Sequence, residues 1–252
     1  MSAFTVIIPA RYGAMRLPGK PLCQLAGQPV IEHVWKRACE SGAERVIVAT
    51  DDQRIEATVR QFGGDVCLTR SDHLSGTDRL TEVVTKRQLP ADDIIVNLQG
   101  DEPLMPPSLL NQVASTLAAA PTAAMATLAT AITDPADYAD PHTVKVVNDH
   151  QGRALYFSRA AIPHTRDSES DSGIPTGALR HLGIYAYRVS FLQRYADLPN
   201  SPLEALEQLE QLRALQAGEW IQVAHATQSP GPGIDTPADL RAAEAQINAL
   251  GT

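Results

Sequence analysis

Cysteine is scarce in this chain. There are three in 252 residues, Cys23, Cys39 and Cys67, with no Cys-x-x-Cys spacing between them. An odd, scattered set argues against a disulfide framework and against a zinc site, and fits a reducing, cytoplasmic setting. No apolar run approaches the roughly 18–20 residues needed to span a bilayer, so no membrane segment is expected. The start lacks a basic stretch followed by an apolar run and a cleavage site, so no secretory signal is expected either. Positive charge is in deficit: 21 Lys and Arg face 29 Asp and Glu, a formal charge of −8. That balance argues against broad nucleic-acid binding, and an anionic ligand would need a local cationic site to overcome the overall field. Internal repeats and low-complexity linkers are absent too. Aromatics make up 5% of the chain, against 44% hydrophobic and 20% charged residues. Such a composition is that of an ordinary soluble globular protein, long enough to bury a sizeable core.

One further absence is local. No acidic residue precedes Glu32, yet the segment ARYGAMRLPGKPL (10–22) carries Arg11, Arg16 and Lys20. An acidic protein thus opens on a purely cationic loop. It is either a solvated surface or a place kept for an anion.

The first half reads as apolar strands alternating with amphipathic helices. TVIIP (5–9), RVIVAT (45–50), DVCLT (65–69) and DIIVNLQ (93–99) are the strands. Between them, PVIEHVWKRACESG aligns Val30, Ile31, Val34 and Ala38 on one face, with Pro29 in the first turn and Gly42 at the stop. QRIEATVRQFGG and DRLTEVVTKRQL are the other helices, with Thr77 as the cap of the latter. Apolar strands separated by helices imply βαβ units, right-handed crossovers and a sheet covered on both faces. Later, TVKVVND and RALYFS flank HQG as a hairpin, and residues 164–178 form a polar loop. LGIYAYR and IQVAHA are strands, PLEALEQLEQLRALQAG is one long helix, and TPADLRAAEAQINAL is the last helix. The expectation is a single α/β domain over residues 1–252, with a smaller mixed sub-region around 125–205.

In open α/β sheets, ligands bind beyond the carboxyl ends of the strands, where the cationic loop after TVIIP falls. Gly13 and Gly19 can bring backbone N–H groups close to an anion, Arg16 can fork onto phosphate oxygens, and Lys20 can act on them as a point charge. The loop is not a P-loop. It holds one residue too many between Gly13 and Lys20, and Pro21 stands where a hydroxyl should be. In NLQGDEPL (97–104), Asp101 can hold a divalent cation through one carboxylate oxygen, or the stretch is simply a Gly-Asp turn. GPGIDTPADL (231–240) offers Asp235. Thr236 caps the following helix, Pro237 takes its first position and Asp239 completes a capping box, which leaves Asp235 for other work. RSDHLSGTDR (70–79) presents Ser75, Gly76, Thr77 and Arg79 to a base or ribose. Arg159, Arg166, His181 and Tyr185 suit an acidic, hydroxylated substrate, although a lone strand histidine is more often structural. Leu203, Leu206, Leu209, Leu212 and Leu215 suggest core packing or a dimer seam, and one of the interleaved glutamates could face a sugar.

Taken in order, PARYGAMRLPGKPL, ERVIVATDD, RSDHLSGTDRL, IIVNLQGDEPL, VKVV, ALYFSRAAIP, LRHLGIYAYR, LEQLEQLR and PGPGIDTPADL span nearly the whole chain. Together they closely resemble the 3-deoxy-manno-octulosonate cytidylyltransferases, the CMP-Kdo synthetases of lipopolysaccharide assembly. The resemblance implies a Rossmann-like nucleotide-diphospho-sugar transferase fold, with a mostly parallel central sheet, helices on both faces and the smaller sub-region serving substrate binding and dimerisation. It implies a cytoplasmic homodimer that uses Mg2+ to convert CTP and Kdo to CMP-Kdo and pyrophosphate. By motif position, Arg11, Arg16 and Lys20 would hold the CTP phosphates, and Ser75, Gly76, Thr77 and Arg79 would surround cytosine and ribose. Asp101 and Asp235 would bind Mg2+. Gln99, Arg166, His181, Tyr185 and Glu210 would bind Kdo, with Arg159 and Glu207 as further candidates. Lys20, Asp101 and Asp235 are the residues on which catalysis would rest. The chain departs from the family pattern at Ala14 and Met15, where hydroxyl residues are common before RLPGK, and across 164–178. The rival readings are activation of another acidic sugar, such as an amino-Kdo or a sialic acid, and a non-catalytic module that binds CTP without releasing pyrophosphate.

Overall fold

The structure is a computed structural model that describes residues 3–13, 17–73, 75–166 and 173–250. In chain order its elements begin with β1 (Thr5–Ala10), a 3-10 turn (Lys20–Leu22), the two-residue strands β2 (Gln24–Leu25) and β3 (Gln28–Pro29), and α1 (Val30–Glu40). Then come β4 (Arg45–Thr50), α2 (Gln53–Gln61), β5 (Asp65–Leu68), α3 (Gly76–Lys86), β6 (Ile94–Asn97) and α4 (Pro107–Ala118). The chain continues through β7 (Met125–Ala131), α5 (Pro135–Ala139), β8 (Lys145–Asn148), β9 (Ala154–Ser158) and β10 (Leu179–Arg188). It ends with α6 (Val189–Tyr195), α7 (Pro202–Glu207), α8 (Gln211–Gln216), β11 (Ile221–His225) and α9 (Pro237–Leu250).

The main sheet runs in the order β11-β7-β10-β6-β1-β4-β5, with β8 and β9 attached to β10; β2 and β3 form a small antiparallel pair of their own. β1 is parallel to β4 and β6, β4 to β5, and β7 to β11, while β10 runs antiparallel to β6 and β7. The expected mostly parallel α/β architecture is therefore present, and β7 and β10 extend its main sheet.

Both faces of the sheet are buried, and strand alternation shows it. Val6 and Ile8 of β1 join Val48, Ile55, Leu109 and Val113 in one apolar cluster. Ile7, between them, joins Ile47, Leu80, Val83, Ile95 and Phe191 in the other. Successive side chains of a strand point to opposite faces, so a strand covered by helices on both sides must be apolar throughout, as TVIIP is.

Three sequence expectations need correction. Pro29 does not open α1: it precedes Val30 with extended backbone (φ −61°, ψ 143°). Ser75, not Thr77, caps α3, its hydroxyl accepting from the Asp78 N–H at 3.0 Å. The long helix over 203–217 is two short ones, α7 and α8, separated at Gln208, whose φ is +54°. The leucine spacing explains the last error. A repeat of three slips about 60° per step against the helical period, so five leucines cannot share one face. Accordingly Leu206 is 81% exposed, while Leu209 and Leu212 are buried.

Candidate active site

The cationic loop leaves β1 at Ala10 and is closed by backbone: the Gly19 N–H donates to the Tyr12 carbonyl at 2.9 Å. Gly19 has φ +70°, and a Cβ there would stand 3.0 Å from the Tyr12 ring. Glycine therefore answers both the backbone turn and the close approach. The Arg54 guanidinium covers the Tyr12 ring at 3.4 Å from its centroid. Gly19 is followed directly by the 3-10 turn, which starts with Lys20 and Pro21. Lys20 and the exposed Arg11 both line a cavity of about 490 Å³ at the carboxyl ends of β1 and β6. Arg16, with Ala14 and Met15, lies outside the described residues.

Two aspartates reach the same cavity from distant parts of the chain. After β6, Gly100 packs so closely on β1 that a Cβ would meet the Pro9 carbonyl at 2.8 Å. Asp101 follows directly. Its carbonyl accepts from the Ile234 N–H at 2.8 Å, which ties the segment before α9 to this corner. The capping box at α9 is present: Asp239 Oδ2 accepts from the Thr236 N–H at 2.8 Å and from its hydroxyl at 2.9 Å. With the cap supplied by its neighbours, Asp235 reaches Lys20. Lys20 Nζ lies 2.7 Å from Asp101 Oδ2 and 3.1 Å from Asp235 Oδ1. Burial works to lower the Lys20 pKa, but the charges and hydrogen bonds of the two aspartates outweigh it, so the ammonium is held more firmly than usual.

The two carboxylates of this corner could hold a cation. Glu102, next along, is pushed up to about 7, first by burial and then by the charges of Asp101 and Asp235. Only the second part of that shift reports the negative charge of the two aspartates. Among the described residues no group of three or more Asp, Glu, His or Cys could hold a metal unaided. Two carboxylates beside an open cavity fit Mg2+, which characteristically takes one or two carboxylates and fills its octahedron with water and substrate phosphate oxygens.

A second cavity, of about 380 Å³, adjoins the first through Gln99, which lines both. Its walls are polar and aromatic, and include Thr77, His181, Tyr185 and Glu210. β10 carries a bulge here. Leu182 pairs with Leu128 and Tyr185 with Thr127, so Gly183 and Ile184 are extra residues. The Thr127 hydroxyl occupies the bulge, 3.0 Å from the Leu182 carbonyl, 2.8 Å from that of Ile184 and 3.0 Å from His181 Nε2. Burial lowers the His181 pKa to about 3, so the imidazole is neutral. Rings of His181, Tyr185, Tyr187, Phe191 and Tyr195 follow one another at centroid spacings of 5.3, 5.8, 6.3 and 5.8 Å. Glu210, just before α8, accepts from the Thr77 hydroxyl at 2.9 Å. Burial pushes its carboxyl pKa up, with the Thr77 bond opposing.

Other sequence-selected residues are placed differently. Ser75 lines a third cavity, of about 430 Å³, with Glu204, Glu210 and Arg213. Gly76 opens α3 against Pro9. Arg79 is buried, its guanidinium against Thr69 and 3.4 Å from Asp51. Arg166 is exposed and is not among the residues lining these three cavities. Arg159 and Glu207 hold the chain in place. Glu207 accepts from the Ser158 hydroxyl at 2.6 Å and the Arg159 N–H at 2.9 Å. The Arg159 guanidinium donates to the Glu207 carbonyl at 2.7 Å and the Pro141 carbonyl at 3.0 Å. Together they set the turn that carries Glu210 to its cavity. The sequence reading passed over Asn97, Tyr187 and Gln211 in the second cavity, and Lys145, whose buried ammonium donates to the carbonyls of Asp140, Thr143 and Arg159. Asn97 did leave a signal: it is a polar residue closing an otherwise apolar strand.

Comparison with known proteins agrees with this geometry. The cytidylyltransferase family model matches residues 5–221. A 3-deoxy-manno-octulosonate cytidylyltransferase of Halorhodospira halophila is 57% identical over 244 residues, covering 95% of both chains. One of Vibrio cholerae serotype O1 is 55% identical over 240 residues, covering 94% of this chain and 95% of its own. The solved structure of a CMP:2-keto-3-deoxy-manno-octonic acid synthetase complexed with CTP is 46% identical, with a TM-score of 0.90 over 99% of this chain and all of that one. A fold built on both faces of a mostly parallel sheet, two cavities joined at Gln99 and these full-length similarities converge: the chain belongs to the cytidylyltransferase family, among the 3-deoxy-manno-octulosonate cytidylyltransferases.

Proposed function

We propose that the protein transfers the cytidylyl group of CTP to the anomeric hydroxyl of Kdo, releasing pyrophosphate, with Mg2+ as its metal. The observation that carries the reading is the meeting of Lys20 with Asp101 and Asp235, 81 and 215 positions away, at one cavity that adjoins a second at Gln99. The first cavity suits the triphosphate, with Lys20 and Arg11 as its cations. The second suits a hydroxylated acid, with His181, Tyr185 and Glu210 on its walls.

Each residue then has a physical task. Arg11 and Lys20 draw the triphosphate into a strongly acidic molecule, and Lys20 stabilises charge that grows on the departing pyrophosphate. Asp101 and Asp235 would hold the metal, whose chemistry is to neutralise phosphate oxygens and acidify a hydroxyl at its surface. Thr77 and Glu210, joined to each other, position groups in the second cavity. Holding both anions in line supplies the orientation that two mutually repelling reactants lack in water. A homodimer is part of the proposal, and exposed Leu155 on β9 and Leu206 on α7 are apolar side chains that a second copy could cover. The three free thiols support a reducing, cytoplasmic setting, and lipopolysaccharide assembly is the use proposed for the product. No helix among the described residues is long and apolar enough to cross a membrane.

The deciding experiment is pyrophosphate release by the purified protein with CTP and Mg2+, with and without Kdo, and with a chelator. Release that needs both Kdo and the metal is expected. Release that ignores Kdo overturns the substrate assignment, and release that survives the chelator overturns the metal. Light scattering on the eluted peak tests the dimer.

A further inference from the structure

The two described cations of the first cavity flank a contact that lines neither cavity. Arg11 directly precedes Tyr12, and Lys20 directly follows Gly19. Arg11 and Lys20 line the first cavity; Tyr12 lines neither it nor the second. The Gly19 N–H donates to the Tyr12 carbonyl at 2.9 Å, so the two cations stand at the two ends of one closed base. The Tyr12 side chain fills that base. Its ring comes so near Gly19 that a Cβ there would stand 3.0 Å away, and it packs, half-buried, against the cluster that contains Val6 and Ile8.

A second support comes from the neighbouring strand. β4 runs parallel to β1, and the chain that leaves it enters α2. Asp52 caps that helix, its Oδ1 accepting from the Arg54 N–H at 2.9 Å. The same carboxylate holds the Arg54 guanidinium as a fork, with Nε 3.0 Å from Oδ1 and Nη2 2.6 Å from Oδ2. A carboxylate fixed by the helix cap thus fixes the guanidinium. That guanidinium lies over the Tyr12 ring, its carbon 3.4 Å from the centroid, in cation–π contact. Because Asp52 compensates the Arg54 charge, the pair adds little to the field that attracts an anion. What it adds is geometry.

We infer that Tyr12 and Arg54 are positioning residues for CTP: they fix the base of the cationic loop, and through it the places of Arg11 and Lys20 against the triphosphate. The inference rests on the first cavity being the triphosphate site. Neither side chain has to touch the nucleotide. A loop braced in advance loses less conformational freedom when its ligand arrives, so removing the brace weakens CTP and leaves Kdo as it was.

The test is steady-state kinetics and thermal unfolding of Tyr12→Leu, Arg54→Met, the double variant and Arg54→Lys. The expected result is a rise of about threefold or more in KM for CTP in each of Tyr12→Leu and Arg54→Met, the scale of one cation–π contact near the surface. KM for Kdo should stay within about 1.5-fold of wild type. The double variant should lose no more than the worse single one, because the two side chains act as a unit. Arg54→Lys keeps the charge but not the planar fork, and should behave as Arg54→Met does. Unchanged KM for CTP in both single variants overturns the inference, whatever the melting temperature does. An equal rise in KM for both substrates overturns it too, because the side chains then serve the fold. Losses that multiply in the double variant show that the pair does not act together. Wild-type kinetics in Arg54→Lys show that charge, not the braced geometry, is what counts; either result overturns the inference. Calorimetric titration with CTP gives the same variant-to-wild-type ratio without turnover. Failure of wild-type turnover therefore removes the function proposed above, whereas the CTP ratio tests only these two residues.

Discussion

Lys20 Nζ stands 2.7 Å from the Asp101 carboxylate, and the same ammonium is 3.1 Å from Asp235. A lysine side chain thus occupies the middle of two acids that are otherwise well suited to a divalent ion. Its charge offsets the mutual repulsion of the two acids. It also places the ammonium beside the cavity that suits the triphosphate.

If Asp101 holds the metal, Asp101→Asn should lower turnover by about 100-fold or more while the fold survives. The amide keeps the shape and can still face Lys20, so the melting temperature should change little. Pyrophosphate release and thermal unfolding, measured on the same preparation, check both halves. Near-normal release in Mg2+ would remove Asp101 from the metal site.

Lys20→Met should separate two roles of the ammonium. Without CTP, the freed aspartates should bind Mn2+ more tightly than in wild type, because the competing cation is gone. With CTP, KM for the nucleotide should rise, because a phosphate contact is lost. Calorimetric titration with Mn2+ and CTP-dependent kinetics give the two readings. Weaker Mn2+ binding would mean that the lysine does not compete for this site.

Gly100→Ala probes the approach of β6 to β1. Its Cβ would come within 2.8 Å of the Pro9 carbonyl, a backbone atom inside a strand that cannot swing aside. Overpacking of this kind costs about 1–3 kcal/mol. Asp101 should move with the strain, so turnover should fall along with stability. Wild-type melting and kinetics in this variant would show that the corner yields.

Burial holds His181 near a pKa of about 3, against 6.5 for the ordinary side chain. Between those values the unfolded chain binds a proton that the folded protein does not. The stability linked to the neutral imidazole is therefore complete above pH 6.5 and drains away as pH falls toward 3. His181→Gln should make the melting temperature less sensitive to acid across that window. Parallel melting curves from above pH 6.5 down to about pH 5 check it; equal slopes for variant and wild type would place the acid-sensitive group elsewhere.

Legibility along the chain followed contrast. TVIIP and RVIVAT have continuous apolar centres, and Val30, Ile31, Val34 and Ala38 mark one helical face, so these elements stand out from sequence. In α4, Leu109, Leu110, Val113 and Leu117 keep the helical period, whereas β7 is rich in Ala and Thr and shows no strand alternation. The 203–217 segment misled for the opposite reason. Its leucines and glutamates favour a helix locally, but Ser158 and Arg159, outside the segment, bind Glu207 next to a left-handed turn at Gln208.

By itself the sequence determined the alternation of buried strands and helices, the glycine-closed cationic loop, the capping box that leaves Asp235 to other work, and the ordered motifs of the family. These depend on local periodicity and on side-chain chemistry within a few residues. Only the tertiary structure decided which carboxylates meet Lys20, that Gln99 lines two neighbouring cavities, and that Asn97 and Gln211 lie buried beside one of them. Those relationships arise where β1, β6, β10 and the segment before α9 converge. Contact between residues so far apart in the chain is fixed by packing and by hydrogen bonds such as that from Ile234 to Asp101, not by spacing in the sequence.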